Sequence, residues 1–219
     1  MRHQQLRLSD GRGVAIRPIR PEDAAGLLAL FDRLSPETVQ RRFFAIRKHL
    51  DPRDARRFAR VDHRADEALV ALAPRLGDGE EQILAVARYA RTAPDEAELA
   101  SVVEDAYQGQ GLGRVLLDEL LRLARARGLR SVHAYVLRDN PRMLHVLQTS
   151  GYPVAVSWAE GTWRVVLDLE ACADLVADTP HPGGAVASTR PAAFRAADSG
   201  SSRGLSRAGT GECGATASQ

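Results

Sequence analysis

Residues 103–113, Val-Glu-Asp-Ala-Tyr-Gln-Gly-Gln-Gly-Leu-Gly, read as the end of a strand, a glycine turn and a helix opening without a break. Such a junction can hold a pyrophosphate. Gly109, Gly111 and Gly113 remove Cβ atoms where the chain must turn tightly and where ligand oxygens must approach main-chain N–H groups. The helix that follows adds its unpaired N-terminal donors and the positive end of its dipole. Its apolar face is Leu112, Val115, Leu116, Leu120, Leu123 and Ala124, and Arg114, Asp118, Arg122 and Arg125 lie opposite.

Several glycine-loop chemistries compete for this stretch. A nucleotide-triphosphate P-loop ends in Gly-Lys-Ser/Thr, but Gly113 is followed by Arg114-Val115. A dinucleotide fingerprint G-x-G-x-x-G would need its third glycine at Arg114 or Leu116, and neither is glycine. A ligand-free glycine turn stays open on spacing alone.

Three blocks in order decide among them. Gln108-x-x-Gly111-x-Gly113 after an apolar strand resembles the Q/R-x-x-G-x-G/A signature of the GNAT superfamily of acyl-CoA-dependent N-acyltransferases. Asn140-Pro-Arg-Met143 through Gly151-Tyr152 is similar to that family's N-x-x-x…G-F/Y segment. Ile16-Arg-Pro-Ile-Arg-Pro-Glu-Asp23, Leu34-Ser-Pro-Glu-Thr38 and Arg42-Phe-Phe44 resemble the acetyltransferase domain of bacterial Pat-type protein-lysine acetyltransferases. The resemblance covers residues 14–169.

Acyl transfer from a thioester to an amine needs a held donor, a deprotonated nucleophile and stabilisation of the developing oxyanion. The resemblance implies that Gln108, Gly109, Gln110, Gly111, Leu112, Gly113 and Arg114 hold the pyrophosphate of acetyl-CoA through backbone donors. It also implies that the strand at Val102 and Val103 splays from its neighbour to admit pantetheine, with an N–H near Val103 polarising the thioester carbonyl. A lysine amine is free base about once in 2,500 at pH 7, a cost near ~4.6 kcal/mol, so a carboxylate must take its proton. By resemblance that carboxylate is Glu98, although Glu96, Glu104 and Asp105 lie close and a one-residue change of register would turn Glu98 to the opposite face.

Asn140 carries two readings, a contact to the pantetheine amides or a helix N-cap with Pro141 at the first helical position. The family's thiolate-protonating tyrosine is replaced by Leu147; a thiol with pKa ~8.5 can leave with little help. Tyr152 takes the place of the family's terminal aromatic, a core position. Arg41-Arg42 could meet an acidic substrate or stand in solvent. His63, His133 and His145 lack the spacing of metal ligands, so no metal is expected.

These residues must be positioned by strands at 14–19, 68–73, 82–90, 96–103 and 131–137 and by a closing hairpin of 153–158 with 162–169. A first helical turn at Pro21-Glu-Asp23 leads into a helix over 24–34, and helices open at Ser35-Pro, Asp51-Pro and Asn140-Pro. Phe43 and Phe44 are expected to pack under the sheet, and 77–79 to turn. The fold class is α+β (mixed α/β): a GNAT-like central, mostly antiparallel twisted sheet flanked by helices. Residues 1–177 form the acetyltransferase domain. Residues 178–219, rich in Gly, Ala, Ser and Arg, cannot bury enough apolar surface to order themselves and are expected to be disordered.

Composition narrows the partners. The chain of 219 residues is 44% hydrophobic with a net charge of +2, enough for one substantial core. Aromatics are only 5% and no basic block could track a phosphate backbone, so nucleic acid is not expected. No window approaches a membrane span, and a cytoplasmic location is the expectation. Cys172 and Cys213 support neither a disulfide framework nor a zinc site. The expected partner is an acceptor amine, a protein lysine or a small molecule; a homodimer is compatible with the sequence. A catalytically silent acyl-CoA-binding module is the alternative of another class.

Overall fold

The computed structural model of the protein describes residues 4–8, 10–73 and 81–171. Its strands are β1 (Gln4–Arg7), β2 (Gly13–Pro18), β3 (Glu67–Leu72), β4 (Ile83–Ala93), β5 (Glu96–Val103), β6 (Ser131–Leu137), β7 (Val154–Ala159) and β8 (Thr162–Asp168). They form one sheet in the order β1-β2-β3-β4-β5-β6-β8-β7. Each neighbouring pair is antiparallel except β5 and β6. The mixed α/β class and the mostly antiparallel sheet are as the sequence implies. β1 is an addition: four residues with no strong alternation, held by pairing with β2.

The helices are α1 (Ala24–Asp32), α2 (Pro36–Phe43), α3 (Pro52–Ala59), α4 (Leu112–Ala126) and α5 (Pro141–Gln148), with short 3-10 turns at Pro21–Asp23 and Asp105–Tyr107. The second turn corrects the reading of residues 103–113 as unbroken, because a 3-10 turn separates strand from glycines. Helices α2, α3 and α5 start alike, with a polar cap and then proline. Ser35 Oγ accepts from Thr38 N–H at 3.2 Å, Asp51 Oδ1 from Arg53 N–H at 2.6 Å and Asn140 Oδ1 from Met143 N–H at 3.2 Å. Each cap satisfies an otherwise orphaned donor, and each proline lacks the N–H that would have been orphaned.

The sheet has a core on each face. Leu112, Leu116, Leu120, Leu121 and Ala124 of α4 pack with Leu147 of α5 on one side, where each fully buried leucine contributes roughly 1.5–3 kcal/mol. Leu27, Leu30 and Phe31 of α1 pack with Phe43, Ala55 and Ala59 on the other. Phe43 is buried there as expected. Phe44 is not: it ends α2 in the left-handed conformation (φ 57°) and lines the central cavity instead. The buried Arg17 on β2 grips Asp23 through two hydrogen bonds of 2.7 and 2.8 Å, which fixes the entry of α1. That clamp gives the Ile16–Asp23 stretch a structural meaning. The expected turn at 77–79, the tail at 178–219, Cys172 and Cys213 lie outside the described residues.

Candidate functional site

The parallel pairing of β5 with β6 is brief: Glu96 with Ser131, Ala97 with Val132 and Glu98 with His133. Beyond Glu98 the two strands part. β5 stays paired with β4 up to Val103 opposite Ala85, and β6 turns its full length to β8. A cavity of about 490 Å³ fills the gap, lined at its base by Leu99–Val103 of β5 and by Ala134 and Tyr135 of β6. The splay places unpaired main-chain groups inside it. Glu104 N–H bonds to the Leu84 carbonyl at 2.9 Å, so by strand alternation the Val103 N–H points away from β4, into the gap.

One mouth of the cavity is the glycine loop. Gly109 (φ 75°) and Gly111 (φ 87°) are both left-handed, and Gly111 caps α4. Gly113 differs: it sits in the helix, and a Cβ there would meet Val103 Cγ2 at an ordinary 3.5 Å. Among the described residues nothing accepts a hydrogen bond from the N–H groups of Gly109, Gln110, Gly111, Leu112, Gly113 or Arg114. Consecutive free donors at a helix N-terminus form a cradle for anionic oxygen. Gln108 N–H is occupied, donating to Asp105 O at 3.2 Å. The side chains of Gln110 and Leu112 do not line the cavity. Gln110 Oε1 accepts from Arg12 at 2.9 Å, and Leu112 is buried in the core. Arg114 lines it, tied to Asp118 at 2.8 Å and Thr149 at 3.1 Å.

The loop is braced by residues the sequence did not mark as functional. Asp105 accepts from Ser35 N–H at 2.9 Å, Ser35 Oγ at 2.7 Å and Thr38 Oγ1 at 2.8 Å. Burial alone would raise the Asp105 carboxyl; these hydrogen bonds from Ser35 and Thr38 hold it below the usual range. Gln108 Nε2 donates to Thr38 Oγ1 at 3.1 Å and to Val103 O at 3.0 Å. The Leu34-Ser-Pro-Glu-Thr38 block thus anchors the glycine loop to α2. Its capping motif and its resemblance to the Pat-type domain signalled the block, but neither pointed to this brace.

The other mouth lies about five strand residues away, roughly 17 Å along β5, at Glu98. Strand alternation sends Ala97 and Leu99 to the α4 face and Glu98 to the α1–α3 face with Val102. Glu98 is buried, lines the cavity and interacts electrostatically with Arg42. Arg41 and Arg42, for which solvent exposure was one reading, both line this cavity. Burial and then Arg88 lower the Arg42 guanidinium to about 10, against the pull of Glu98. His133, opposite Glu98, is pushed down to about 4 by burial and then by Arg164, so it is neutral at pH 7.

Asn140 caps α5 through Oδ1 and also lines the cavity, so its capping role is realised at the cavity wall. Leu147 is fully buried and offers no proton. Tyr152 packs against the core, as expected of that position. His63 bonds the buried Glu67 at 2.6 Å. Among the described residues no three His, Cys, Asp or Glu side chains are grouped to hold a metal, and no helix is long and apolar enough to cross a membrane.

Comparison with known proteins agrees with this geometry. The sequence profile of the acetyltransferase (GNAT) domain matches residues 14–153. An acetyltransferase of Pseudomonas aeruginosa is 36% identical over 146 residues, covering 66% of this chain and 77% of the relative. Acetyltransferase Pat of Mycolicibacterium smegmatis is 30% identical over 148 residues, which is 67% of this chain and 43% of that relative. The chain therefore matches under half of that longer protein. The crystal structure of the GNAT domain of S. lividans PAT superposes with a TM-score of 0.68 at 34% identity, covering 76% of this chain and 96% of that one.

Proposed function

This chain belongs to the GNAT acetyltransferase family, and from that premise we propose that it acetylates the side-chain amine of a protein lysine by direct attack in a ternary complex. That it is an N-acetyltransferase using acetyl-CoA follows from the family. The lysine is our reading, supported by the similarity to Pat acetyltransferases.

The residues fit acetyl-CoA on one observation, the run of unpaired amides at 109–114 at the mouth of an apolar split between strands. Those N–H groups, with Arg114 beside them, hold the pyrophosphate. Val102 and Val103 flank the pantetheine, and the Asn140 amide nitrogen donates to it. Bound acetyl-CoA supplies the activated thioester. Val103 lies about 17 Å along the strand from Glu98, so a gap-facing N–H of β5 nearer Glu98, such as that of Ser101, donates to the thioester carbonyl as negative charge builds there.

Glu98 is the general base. It takes the proton of the incoming ammonium, directly or through one water, so that nitrogen attacks as the neutral amine. A new C–N bond forms, the C–S bond breaks, and the thiolate departs without an acid from α5, since Leu147 has none to give.

The test is thiol release from acetyl-CoA against protein lysines, lysine peptides, polyamines, aminoglycosides and amino acids. Turnover confined to lysine in polypeptides supports the reading, and turnover confined to a small amine overturns its acceptor. Acetyl-CoA binding with no turnover of any amine would leave a binding module only.

A further inference from the structure

The acceptor end of the cavity carries more positive charge than its single base requires. Arg42 sits at the C-terminal end of α2, half-buried, its guanidinium 5.0 Å from the Phe43 ring. Arg88 on β4 stands opposite Ala100 of β5, two positions from Glu98 on the same face, with its guanidinium 5.4 Å from the Phe58 ring. Phe43 and Phe58 stack with centroids 6.5 Å apart, so the two cations are held on neighbouring rings. Both line a second cavity of about 50 Å³ that adjoins the first at Arg42 and Val102. Arg47 adds a third guanidinium 5.0 Å from Phe43, but Asp54 answers it at 3.5 Å. Arg164, opposite Tyr135 across β6 and β8, adds another on the same face.

Arg42 has no hydrogen-bonding partner among the described residues, and the charges that act on it are Arg88, Glu98 and Arg47. Burial and then the cations Arg88 and Arg47 lower it against Glu98 alone, the mark of a cation short of counter-charge, whereas Arg88 has Asp66 acting on it. A half-buried guanidinium facing a cavity with donors to spare is a fork for a carboxylate. It also discourages any amine that arrives with further positive charges.

Resting on the acetyltransferase reading above, we propose that Arg42, backed by Arg88, forms a carboxylate-binding subsite beside Glu98, so that the preferred acceptor is a protein lysine with an acidic side chain next to it. The acidic neighbour offsets the repulsion between the incoming ammonium and the arginines. The same arginines then favour the neutral, attacking form of the amine once it is in place.

The experiment compares single-lysine peptides flanked by Glu, by Gln or by Arg, with kcat/KM read by thiol release. The Glu-flanked peptide should exceed the Gln-flanked one by about 10- to 100-fold, as a charge-assisted hydrogen bond gives, and the Arg-flanked peptide should rank last. Arg42→Gln should shrink the spread, and Arg42→Glu should exchange the first and last ranks. Because ratios are read within each variant, a general loss of activity does not disturb them. Should a variant fail to fold, the wild-type ranking decides alone. Equal kcat/KM across the wild-type series, or an unchanged ranking in Arg42→Glu, overturns the subsite and leaves lysine acetylation standing. Turnover of no peptide at all overturns the lysine reading, and the subsite falls with it.

Discussion

The side-chain amide of Gln108 donates to the main-chain carbonyl of Val103 at 3.0 Å, across the 3-10 turn that separates them in sequence. This bond ties the anion cradle to the strand edge that borders the cleft. A shift of one would move the other, so the two ends of an extended acyl-CoA site are held in register. Thr38, bonded to both Gln108 and Asp105, extends the brace to α2 and thus to Arg42.

The glycines of the loop should separate by backbone role. Gly111 is at φ 87°, strained for any side chain but least so for Asn and Asp, so Gly111→Asp read against Gly111→Asn isolates the effect of charge. Gly111→Asp should fold and lose measurable acetyl-CoA affinity by calorimetry. Gly113→Ala meets only ordinary contact and removes a flexible residue from a helix. It should raise stability by about 0.5–1 kcal/mol in urea titration. Affinity for acetyl-CoA should stay within severalfold, because the Ala methyl faces Val103.

Asp105 couples loop stability to pH. Its carboxylate is held low by Ser35 and Thr38 in the folded protein, so its contribution is present above the unfolded pKa of ~3.9 and is lost as pH falls through the lower folded value. Asp105→Asn should cost about 1 kcal/mol at pH 7, a modest figure because the residue is exposed and screened. The difference from wild type in thermal melts should narrow as pH falls below about 3.9 and vanish once the carboxyl is protonated in the folded state as well. A constant difference down to pH 2 would assign the cost to packing.

Much of this was legible in the sequence, and the reasons are local. The glycine spacing and the Asn140-Pro141 cap follow from short-range rules, whereas Glu98 rests on the family resemblance with its register open. β5 and β6 fall at 96–103 and 131–137 as the alternation predicts. The misses are long-range. The capture of Asp105 by α2 depends on partners up to 70 residues away, and the parting of β5 from β6, 35 residues apart at Glu98 and His133, follows from the family resemblance rather than from any local pattern. Arg42 looked like a surface cation because its helix is polar by composition; only packing of α2 against the sheet buries it. The 3-10 turn at Asp105–Tyr107 has no apolar period to announce it.

His133 should make the fold sensitive to mild acid. Buried and faced by Arg164, it is neutral with a value near 4, whereas in the unfolded chain it takes a proton near 6.5. The unfolded state therefore binds the proton first, and stability falls as pH drops from about 6.5 toward 4, by roughly 3 kcal/mol at most. His133→Leu should flatten the melting temperature over that window whatever its effect at pH 7. An equally steep loss in the variant would move the cause elsewhere.

Glu98 carries the sharpest test of the chemistry. Glu98→Gln keeps the size of the side chain and removes its basicity, so acetyl-CoA affinity should hold within about twofold, since Glu98 lies roughly 17 Å along β5 from Val103, the strand end that leads into the cradle. Meanwhile kcat should fall 10²- to 10⁴-fold, the range a positioned general base contributes. Raising the pH toward that of the free amine should restore part of the loss, because solvent then does what the carboxylate did. This rescue separates a lost base from a damaged fold, which alkaline pH would not repair. An unchanged kcat in Glu98→Gln would falsify the assignment and shift attention to water activated by main-chain groups of the cleft.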